Sequence, residues 1–278
     1  MIIGLHGKFI FTDEEKHSIA ERYINGESTV KISKSLGLAT HKQVLRVVHE
    51  MGIDVSNGLS RFNRKYKINE NYFDNIDTPN KAYILGFLYA DGHNEIPKGT
   101  VQMSLQEEDR DILENIRLEV NSERPLEFID YSNKHDFGYT YKNQFRLLFF
   151  SIHMCKTLEK IGMIKNKSLS LEFPDIPKEL YSHFIRGYFD GDGSISKTSG
   201  SFSIISTYNF VKRVKEILDE ELNLNYGIIS ESRNKNGITH DLDYHRKAES
   251  YIIYKWLYKD ADLYLQRKRD ICKNIHGF

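Results

Sequence analysis

Hydrophobic positions recur at helical spacing in the first fifty residues of the chain. Val44, Val47 and Val48 fall on one stripe of a helix, with polar residues between them. Thr12 followed three residues later by Glu15 is a capping-box pattern that marks the start of an earlier helix. We predict three helices with a Gly-containing turn before the third. This order is typical of a helix-turn-helix, and the alternative is a plain three-helix bundle with a solvated polar face.

The predicted third helix offers a polar surface at its start. If residues 1–53 are a helix-turn-helix module, this surface is its recognition face. The DNA-binding candidates on it are Thr40, Lys42, Gln43 and Arg46. Residues 54–77 are predicted to be a basic linker suited to following a phosphate backbone. Its candidate phosphate contacts are Arg61, Arg64, Lys65 and Lys67.

The pattern after residue 77 alternates between helix and strand and occurs twice. The segment ILGFLYADG ends at Gly92, and IRGYFDGDG ends at Gly193, an offset of 101 residues. After each segment the sequence predicts two strands, a helix, two further strands and another helix. We predict an α+β fold of two αββαββα repeats, residues 78–176 and 177–278, each with an antiparallel sheet.

Small residues occur four positions apart in both opening helices. The pairs are Gly86 with Ala90, and Gly187 with Gly191. Such spacing lines one helical face and allows two helix backbones to approach closely, which would bring the two helix ends together. Asp91 and Asp192 lie at those ends, where a carboxylate beside a helix C-terminus is electrostatically unfavourable. A bound cation would relieve that cost.

The predicted pair of carboxylates suggests a site for phosphodiester hydrolysis. Carboxylate and carbonyl oxygens are ligands for Mg²⁺ (or Mn²⁺), which activates water and stabilises a departing oxygen. Lys167 and Lys268 each follow the aspartate of their repeat by 76 residues, and each would supply positive charge for the transition state. The candidate catalytic residues are therefore Asp91, Asp192, Lys167 and Lys268, with the two aspartates as metal ligands.

Charge and composition narrow the classes of function. The 278 residues hold 39 Lys and Arg and 39 Asp and Glu, which argues against a histone-like protein. Residues 1–68 have a net charge of +4 and the remainder −4, so a basic module precedes an acidic body. Two cysteines are too few for a disulfide framework or a cysteine zinc site. No apolar run is long enough for a membrane helix, so we expect no membrane contact, and the low cysteine count favours an intracellular protein.

Both nine-residue segments resemble the motif of the LAGLIDADG homing endonuclease family, in its monomeric form with two motif copies. The resemblance implies a monomer with a DNA-binding saddle, metal binding by Asp91 and Asp192, and a lysine near the scissile phosphate. It also implies a polar, water-positioning residue 14 positions after each aspartate. That position is Ser206 in the second repeat and Leu105 in the first, so we expect unequal half-sites. Gln102, Ser104 or Gln106 are candidate substitutes for Leu105.

The leading hypothesis is a sequence-specific endonuclease that makes a double-strand break in DNA, in a prokaryotic or phage-infected cell or an organelle. The alternatives are a DNA-binding regulator with a body that no longer cuts, and a maturase that binds intron RNA. A basic concave face is expected on the sheets, with the acidic residues on the outer helices. The candidate DNA contacts there are Arg146, Lys197, Arg233, Lys235 and Arg246.

Overall fold

The structure is a computed structural model that describes residues 2–3, 9–24, 27–53, 66–132, 135–136, 139–164, 170–234 and 237–277. It divides into two compact units, Met1–Lys65 and Tyr66–Phe278. The boundary falls inside the predicted linker, whose residues 54–65 lie outside the described part of the chain.

The sequence predicted that residues 66–77 form the end of the linker, and this prediction is wrong. The side chains of Tyr72 and Phe73 are buried in the core of the second unit. Lys67 is exposed, but its backbone N–H and C=O both bond to Glu123, at 3.1 and 2.9 Å. Apolar burial and backbone pairing thus fix this segment to the larger unit.

The first unit contains the three predicted helices. A short antiparallel ribbon, β1 (Ile2–Ile3) and β2 (Phe9–Ile10), precedes them. The helices are α1 (Asp13–Ile24), α2 (Thr29–Ser35) and α3 (Lys42–Glu50). The prediction of three helices is therefore confirmed, although the ribbon has too few residues to leave a pattern in the sequence.

Local sequence signals account for the boundaries of these helices. Thr12 and Glu15 exchange two hydrogen bonds of 3.0 and 3.2 Å, which is the reciprocal arrangement of a capping box. The Ser28 hydroxyl accepts from the N–H of Lys31 at 3.2 Å. Gly37 adopts φ +67° between α2 and α3, a left-handed conformation that costs glycine little. The core of the unit contains Phe11, Ile19, Tyr23, Ile32, Leu38, Val44, Val47 and Val48.

The second unit begins with one αββαββα repeat. Its elements are α4 (Pro79–Asp91), β3 (His93–Glu95), β4 (Thr100–Gln106), α5 (Arg110–Glu119), β5 (Glu127–Ile129), β6 (His135–Asp136), β7 (Tyr139–Thr140), β8 (Gln144–Phe150) and α6 (Ile152–Ile161). Strands β6 and β7 form a separate two-stranded ribbon, and the main antiparallel sheet has the order β3-β4-β8-β5.

The second repeat follows the same order. Its elements are α7 (Tyr181–Asp192), β9 (Gly193–Ile195), β10 (Phe202–Ser206), α8 (Tyr208–Leu222), β11 (Ile228–Asn234), β12 (Gly237–Tyr244), α9 (Lys247–Tyr258) and a further helix α10 (Gln266–His276). The sheet has the order β11-β12-β10-β9, again antiparallel. The predicted α+β class and the duplicated αββαββα order are confirmed. No helix in the described ranges has the length and apolar character needed to cross a membrane.

Helices α4 and α7 pack against each other at very short range. A Cβ built on Gly86 would lie 2.0 Å from the carbonyl oxygen of Phe184, and one on Gly187 would lie 2.0 Å from that of Tyr83. The two glycines occupy matching positions in the repeats, so the contact is reciprocal. Because real Cβ atoms do not approach backbone oxygens this closely, no other residue type fits at either position without moving the helices apart.

Replacing Gly86 or Gly187 by alanine should therefore destabilise the second unit by about 3 kcal/mol, although alanine in a helix interior is otherwise favoured over glycine by about 1 kcal/mol. The free energy of unfolding in urea measures the effect. Ala248→Gly, at an exposed position in the first turn of α9, is the control for exchanging these two residues in a helix without a packing contact. A gain in stability for either alanine variant would contradict the close approach of the helices.

Candidate active site and nucleic-acid interface

The two predicted metal-binding carboxylates stand at neighbouring helix ends. Asp91 is the last residue of α4, Asp192 is the last residue of α7, and both are exposed. A Cβ built on Gly191 would lie 2.3 Å from the Cβ of Ala90 and 3.0 Å from Oδ2 of Asp91. The structure thus brings the end of one motif helix against the carboxylate that ends the other.

The oxygen atoms at this place have the chemistry of a site for a hard divalent cation. Carboxylates are combined there with helix C-termini, whose last carbonyls have no partner within the helix. Mg²⁺ typically keeps several waters and is bound by one or two carboxylates together with phosphate oxygens. Within the described ranges, no cluster of three or more His, Cys, Asp or Glu could enclose a metal ion. The donor set therefore fits Mg²⁺ shared with a phosphate better than a closed protein cage.

Lys268, a predicted catalytic residue, lies on α10, and its side chain is buried against the last turn of α7. Its Nζ donates to the carbonyl oxygens of Phe189 at 2.5 Å, Gly193 at 2.6 Å and Gly191 at 3.3 Å, and the side chain is only 5% exposed. A cation at a helix C-terminus is favourable. Lys268 thus compensates the helix end that carries Asp192, which differs from the expected contact with an exposed phosphate.

Burial lowers the pKa of Lys268 to about 8, and the negative charge of Asp190 acts against that shift. The matching Lys167 of the first repeat lies outside the described residues. The proposed pairing of one catalytic lysine with each half-site therefore stays a prediction for both repeats.

Asp190 is a buried carboxylate whose role the sequence did not reveal. It accepts hydrogen bonds from the hydroxyls of Tyr83 and Tyr258, both at 2.9 Å, and from the N–H of Leu265 at 2.8 Å. Burial raises its pKa, while the charge of Lys268 and these hydrogen bonds act in the opposite direction. Because Tyr83 belongs to the first motif helix, Asp190 ties the two repeats together beneath the candidate site.

Arg186 is the second unexpected buried charge, one turn before Asp190 on α7. It is fully buried and donates to the carbonyl oxygens of Leu263 at 3.0 Å and Leu257 at 2.8 Å, and to Nδ1 of His183 at 2.9 Å. An imidazole nitrogen that accepts from a guanidinium must be unprotonated. Burial, followed by the charge of Arg186, accordingly lowers the pKa of His183 to about 4.

A cavity of about 130 Å³ lies beside Asp192. Ser206, the expected water-positioning residue of the second repeat, lines it and is buried. Its counterpart Leu105 is half-buried, pairs with Phe145 across the first sheet and packs on the core. The local chemistry of the two half-sites is therefore different. The cavity is lined by Tyr89, Ala90, Leu171, Tyr188, Asp192, Ile205, Ser206 and Thr239.

The outward face of the first sheet has residues suited to reading bases. Strand alternation buries Val101 and Met103 of β4 and turns Gln102, Ser104 and Gln106 to the other face. Arg146 lies opposite Ser104 on β8, and its Nε donates to the serine hydroxyl at 3.4 Å. Arg and Gln side chains hydrogen bond to guanine and adenine edges in the major groove.

The outward face of the second sheet is acidic, which corrects the expectation of a basic face there. Leu242 and Tyr244 of β12 are buried, so Asp241 and Asp243 lie on the opposite face. Burial and the neighbouring charge of Asp243 raise the pKa of Asp241. Among the described residues of β9 to β12, no Lys or Arg shares this face, which includes Ser194, Ser203, Ile205, Ile228, Ser230, Ser232 and Thr239.

The other predicted DNA contacts of the second repeat lie outside that face. Lys197 is exposed in the turn between β9 and β10. Arg233 is exposed and forms an ion pair of 2.7 Å with Glu231. Arg246 is exposed and lies 3.1 Å from the ring centroid of Tyr226. Arg61, Arg64, Lys65 and Lys235 lie outside the described part of the chain.

In the first unit, the candidate recognition residues surround the start of α3. Thr40 and Lys42 are exposed, whereas Gln43 and Arg46 are half-buried. Arg46 lies 3.5 Å from the carboxylate of Glu50, one turn later. The positions are compatible with a recognition helix, and the DNA-binding role of this unit stays a prediction.

The comparisons with known proteins bear on the second repeat. Residues 179–255, from the turn before α7 into α9, match the family of LAGLIDADG-like domains. This segment is similar to LAGLIDADG-like domains. It contains the second motif, Asp192 and the acidic sheet, and it supports the resemblance seen in the sequence.

Solved structures with a similar arrangement have low identity to the chain. The homing endonuclease I-WcaI bound to its DNA recognition sequence is 16% identical, with a TM-score of 0.44, over 72% of this chain and 91% of that one. I-DmoI in complex with DNA and Ca is 15% identical, with a TM-score of 0.44, over 74% of this chain and 99% of that one. Full-length WhiA from Thermatoga maritima is also 15% identical, with a TM-score of 0.45, over 75% of this chain and 64% of that one. No curated protein matches the chain.

The neutral state of His183 has a consequence for stability. Unfolded histidine takes up a proton near pH 6.5 and folded His183 near pH 4, so the unfolded state binds more protons between these values. This residue should therefore reduce stability by about 2 kcal/mol as the pH falls from 6.5 to 4. Urea unfolding at several pH values should show a shallower dependence for His183→Gln than for the native protein. His245→Gln, at an exposed position, is the control and should keep the native slope.

Proposed function

We propose that this protein is a site-specific DNA endonuclease that uses Mg²⁺ to hydrolyse one phosphodiester bond in each strand of a duplex. The observation that carries the proposal is the meeting of the α4 and α7 ends at Gly191, with an exposed aspartate on each helix. The LAGLIDADG-like domain around Asp192 supports it. Two adjacent carboxylates, one from each repeat, suit one phosphate in each strand.

The chemistry requires water to attack phosphorus opposite the 3′ oxygen. The new oxygen–phosphorus bond forms as the water releases a proton to solvent, the bond to the 3′ oxygen breaks, and that oxygen takes up a proton from solvent, which leaves a 5′ phosphate and a 3′ hydroxyl. A bound Mg²⁺ would lower the pKa of water and stabilise the departing oxygen. Asp91 and Asp192 would hold the cations at the two helix ends. Lys268 would keep the last turn of α7, and so Asp192, in place.

The two sheets would read the target in different ways. Arg146 and the glutamines of the first sheet supply donors for purine edges, whereas Asp241 and Asp243 are acceptors that suit the exocyclic amine of cytosine. Carboxylates repel phosphates, so the acidic face is suited to base contacts and not to backbone contacts. We expect the half-site bound by the first repeat to be richer in purine contacts.

A DNA-binding regulator without nuclease activity is the second candidate. It is favoured by the buried position of Lys268, which places the ammonium on backbone carbonyls, and by the acidic face of the second sheet. Both candidates bind duplex DNA, and only the first hydrolyses it. The two therefore differ in one measurable property.

Substituting each aspartate tests the endonuclease. Asp91→Asn or Asp192→Asn should abolish double-strand cleavage and leave nicking of one strand, because each carboxylate serves one half-site. DNA affinity should stay within about tenfold, since these groups serve chemistry more than binding. The assay uses a duplex selected from random DNA by the protein and labelled on each strand, with Mg²⁺ present. Asp111→Asn, an exposed aspartate on α5, is the matched control. Native cutting by both site variants, or no cutting by the native protein, would refute the assignment.

Deleting residues 1–65 tests the first unit as a DNA-binding arm. The DNA footprint should become shorter on one side only, and the affinity for DNA should fall. The reason is that the phosphate and base contacts expected of α3 and of linker residues 54–65 are lost. Cleavage should stay at the same phosphates, since both aspartates lie in the second unit. Footprinting and cleavage mapping at several salt concentrations measure both effects. An unchanged footprint and affinity would indicate a role for this unit other than DNA binding.

A further inference from the structure

The cavity beside Asp192 has room for ordered water. Its volume of about 130 Å³ exceeds the roughly 10–15 Å³ that a single water molecule requires. Its polar side chains come from four elements: Asp192 and Tyr188 from α7, Ser206 from β10, Thr239 from β12, and Tyr89 from α4. A chamber of this size, with hydroxyl groups and an exposed carboxylate, can hold water at defined positions.

Most of these hydroxyls already have strong partners. Tyr89 donates to the carbonyl oxygen of Ile161 at 2.6 Å, and Tyr188 donates to that of Ile205 at 2.8 Å. Ser206 also hydrogen bonds to Tyr188, an interaction that opposes the burial-driven rise in the pKa of the tyrosine. These three hydroxyls therefore form the wall of the cavity.

Thr239 differs from them. Its hydroxyl donates to the carbonyl oxygen of Ser232 at 3.4 Å, near the limit for a hydrogen bond. A threonine oxygen has two acceptor lone pairs in addition to its proton. Thr239 is half-buried on the outward face of β12, one residue from His240, which pairs with Ser206. Its oxygen can therefore accept a hydrogen bond from a molecule in the cavity.

We propose that Thr239 is a water-positioning residue of the Asp192 half-site: its Oγ accepts a hydrogen bond from the water that attacks phosphorus. This inference rests on the proposed endonuclease function. The hydrogen bond directs one proton of the water toward Thr239 and leaves an oxygen lone pair for the phosphorus. The bond changes of the hydrolysis are otherwise those given above.

The first repeat has no hydroxyl at the corresponding place. By register, Phe145 and Gln144 of β8 correspond to His240 and Thr239 of β12, and Leu105 corresponds to Ser206. The first half-site therefore combines two apolar groups with an amide. A loss of the Thr239 hydroxyl should consequently affect one strand only, which separates positioning from a general effect on folding.

The experiment uses the full-length chain in two single-site backgrounds. In Asp91→Asn only the Asp192 half-site can nick, and in Asp192→Asn only the Asp91 half-site can. Thr239→Val keeps the shape of the side chain and removes the oxygen. It should slow nicking about tenfold in the first background and leave the second unchanged, because misplacement of a reacting group is costly only where it reacts. Thr239→Ser should restore most of the rate in the first background.

Two controls complete the design. DNA affinity measured in EDTA should be the same with and without Thr239→Val, since the residue is assigned to the water and not to the duplex. Thr198→Val, an exposed threonine in the same repeat, should have no effect in either background. Equal rates with and without Thr239→Val would overturn the role of Thr239 and leave the endonuclease intact. Equal slowing in both backgrounds would also overturn it, and no nicking in either would refute both the function and this inference.

Discussion

The close approach of α4 and α7 is the constraint on which the rest of the second unit depends. Gly86 and Gly187 each leave space for a carbonyl oxygen of the opposite helix, and no side chain fits in either place. Because the two helices are held at this distance, the helix ends that carry Asp91 and Asp192 lie next to each other. A separation of one or two ångströms would move the carboxylates apart and open the core on both sides.

The second consequence is a group of buried charges beneath those ends. Asp190, Arg186 and Lys268 are each 5% exposed or less, and burying charge is costly unless every ion has partners. The structure supplies them from several elements: tyrosine hydroxyls and an N–H for Asp190, and backbone carbonyls for the two cations. The contacts of Asp190 and Lys268 hold the end of α7 that carries Asp192. Polar groups thus fix the geometry of a site that apolar packing alone would leave adjustable.

The duplication is nearly complete in topology and incomplete in chemistry. Both sheets have the same strand order, yet one outward face carries Arg146 with glutamines and the other carries Asp241 and Asp243. Likewise Ser206 borders a cavity, whereas Leu105 packs on the core. A duplex without palindromic symmetry presents different bases to the two halves, and unequal faces are suited to such a target. The unequal half-sites also make it possible to study each carboxylate separately.

The sequence by itself determined the repeat, the order of its elements and the glycine contacts, because these depend on local periodicity and on residue size. The capping box at Thr12 and the buried stripe of α3 are local in the same sense. Tertiary structure alone decided the roles of Lys268 and Asp190. Their partners lie 68 to 107 residues away along the chain, and no spacing rule identifies them. It also decided which side of β12 is outward, since alternation separates Asp241 from Leu242 but does not say which side the helices cover. Local patterns specify elements, whereas burial and charge pairing depend on how those elements pack.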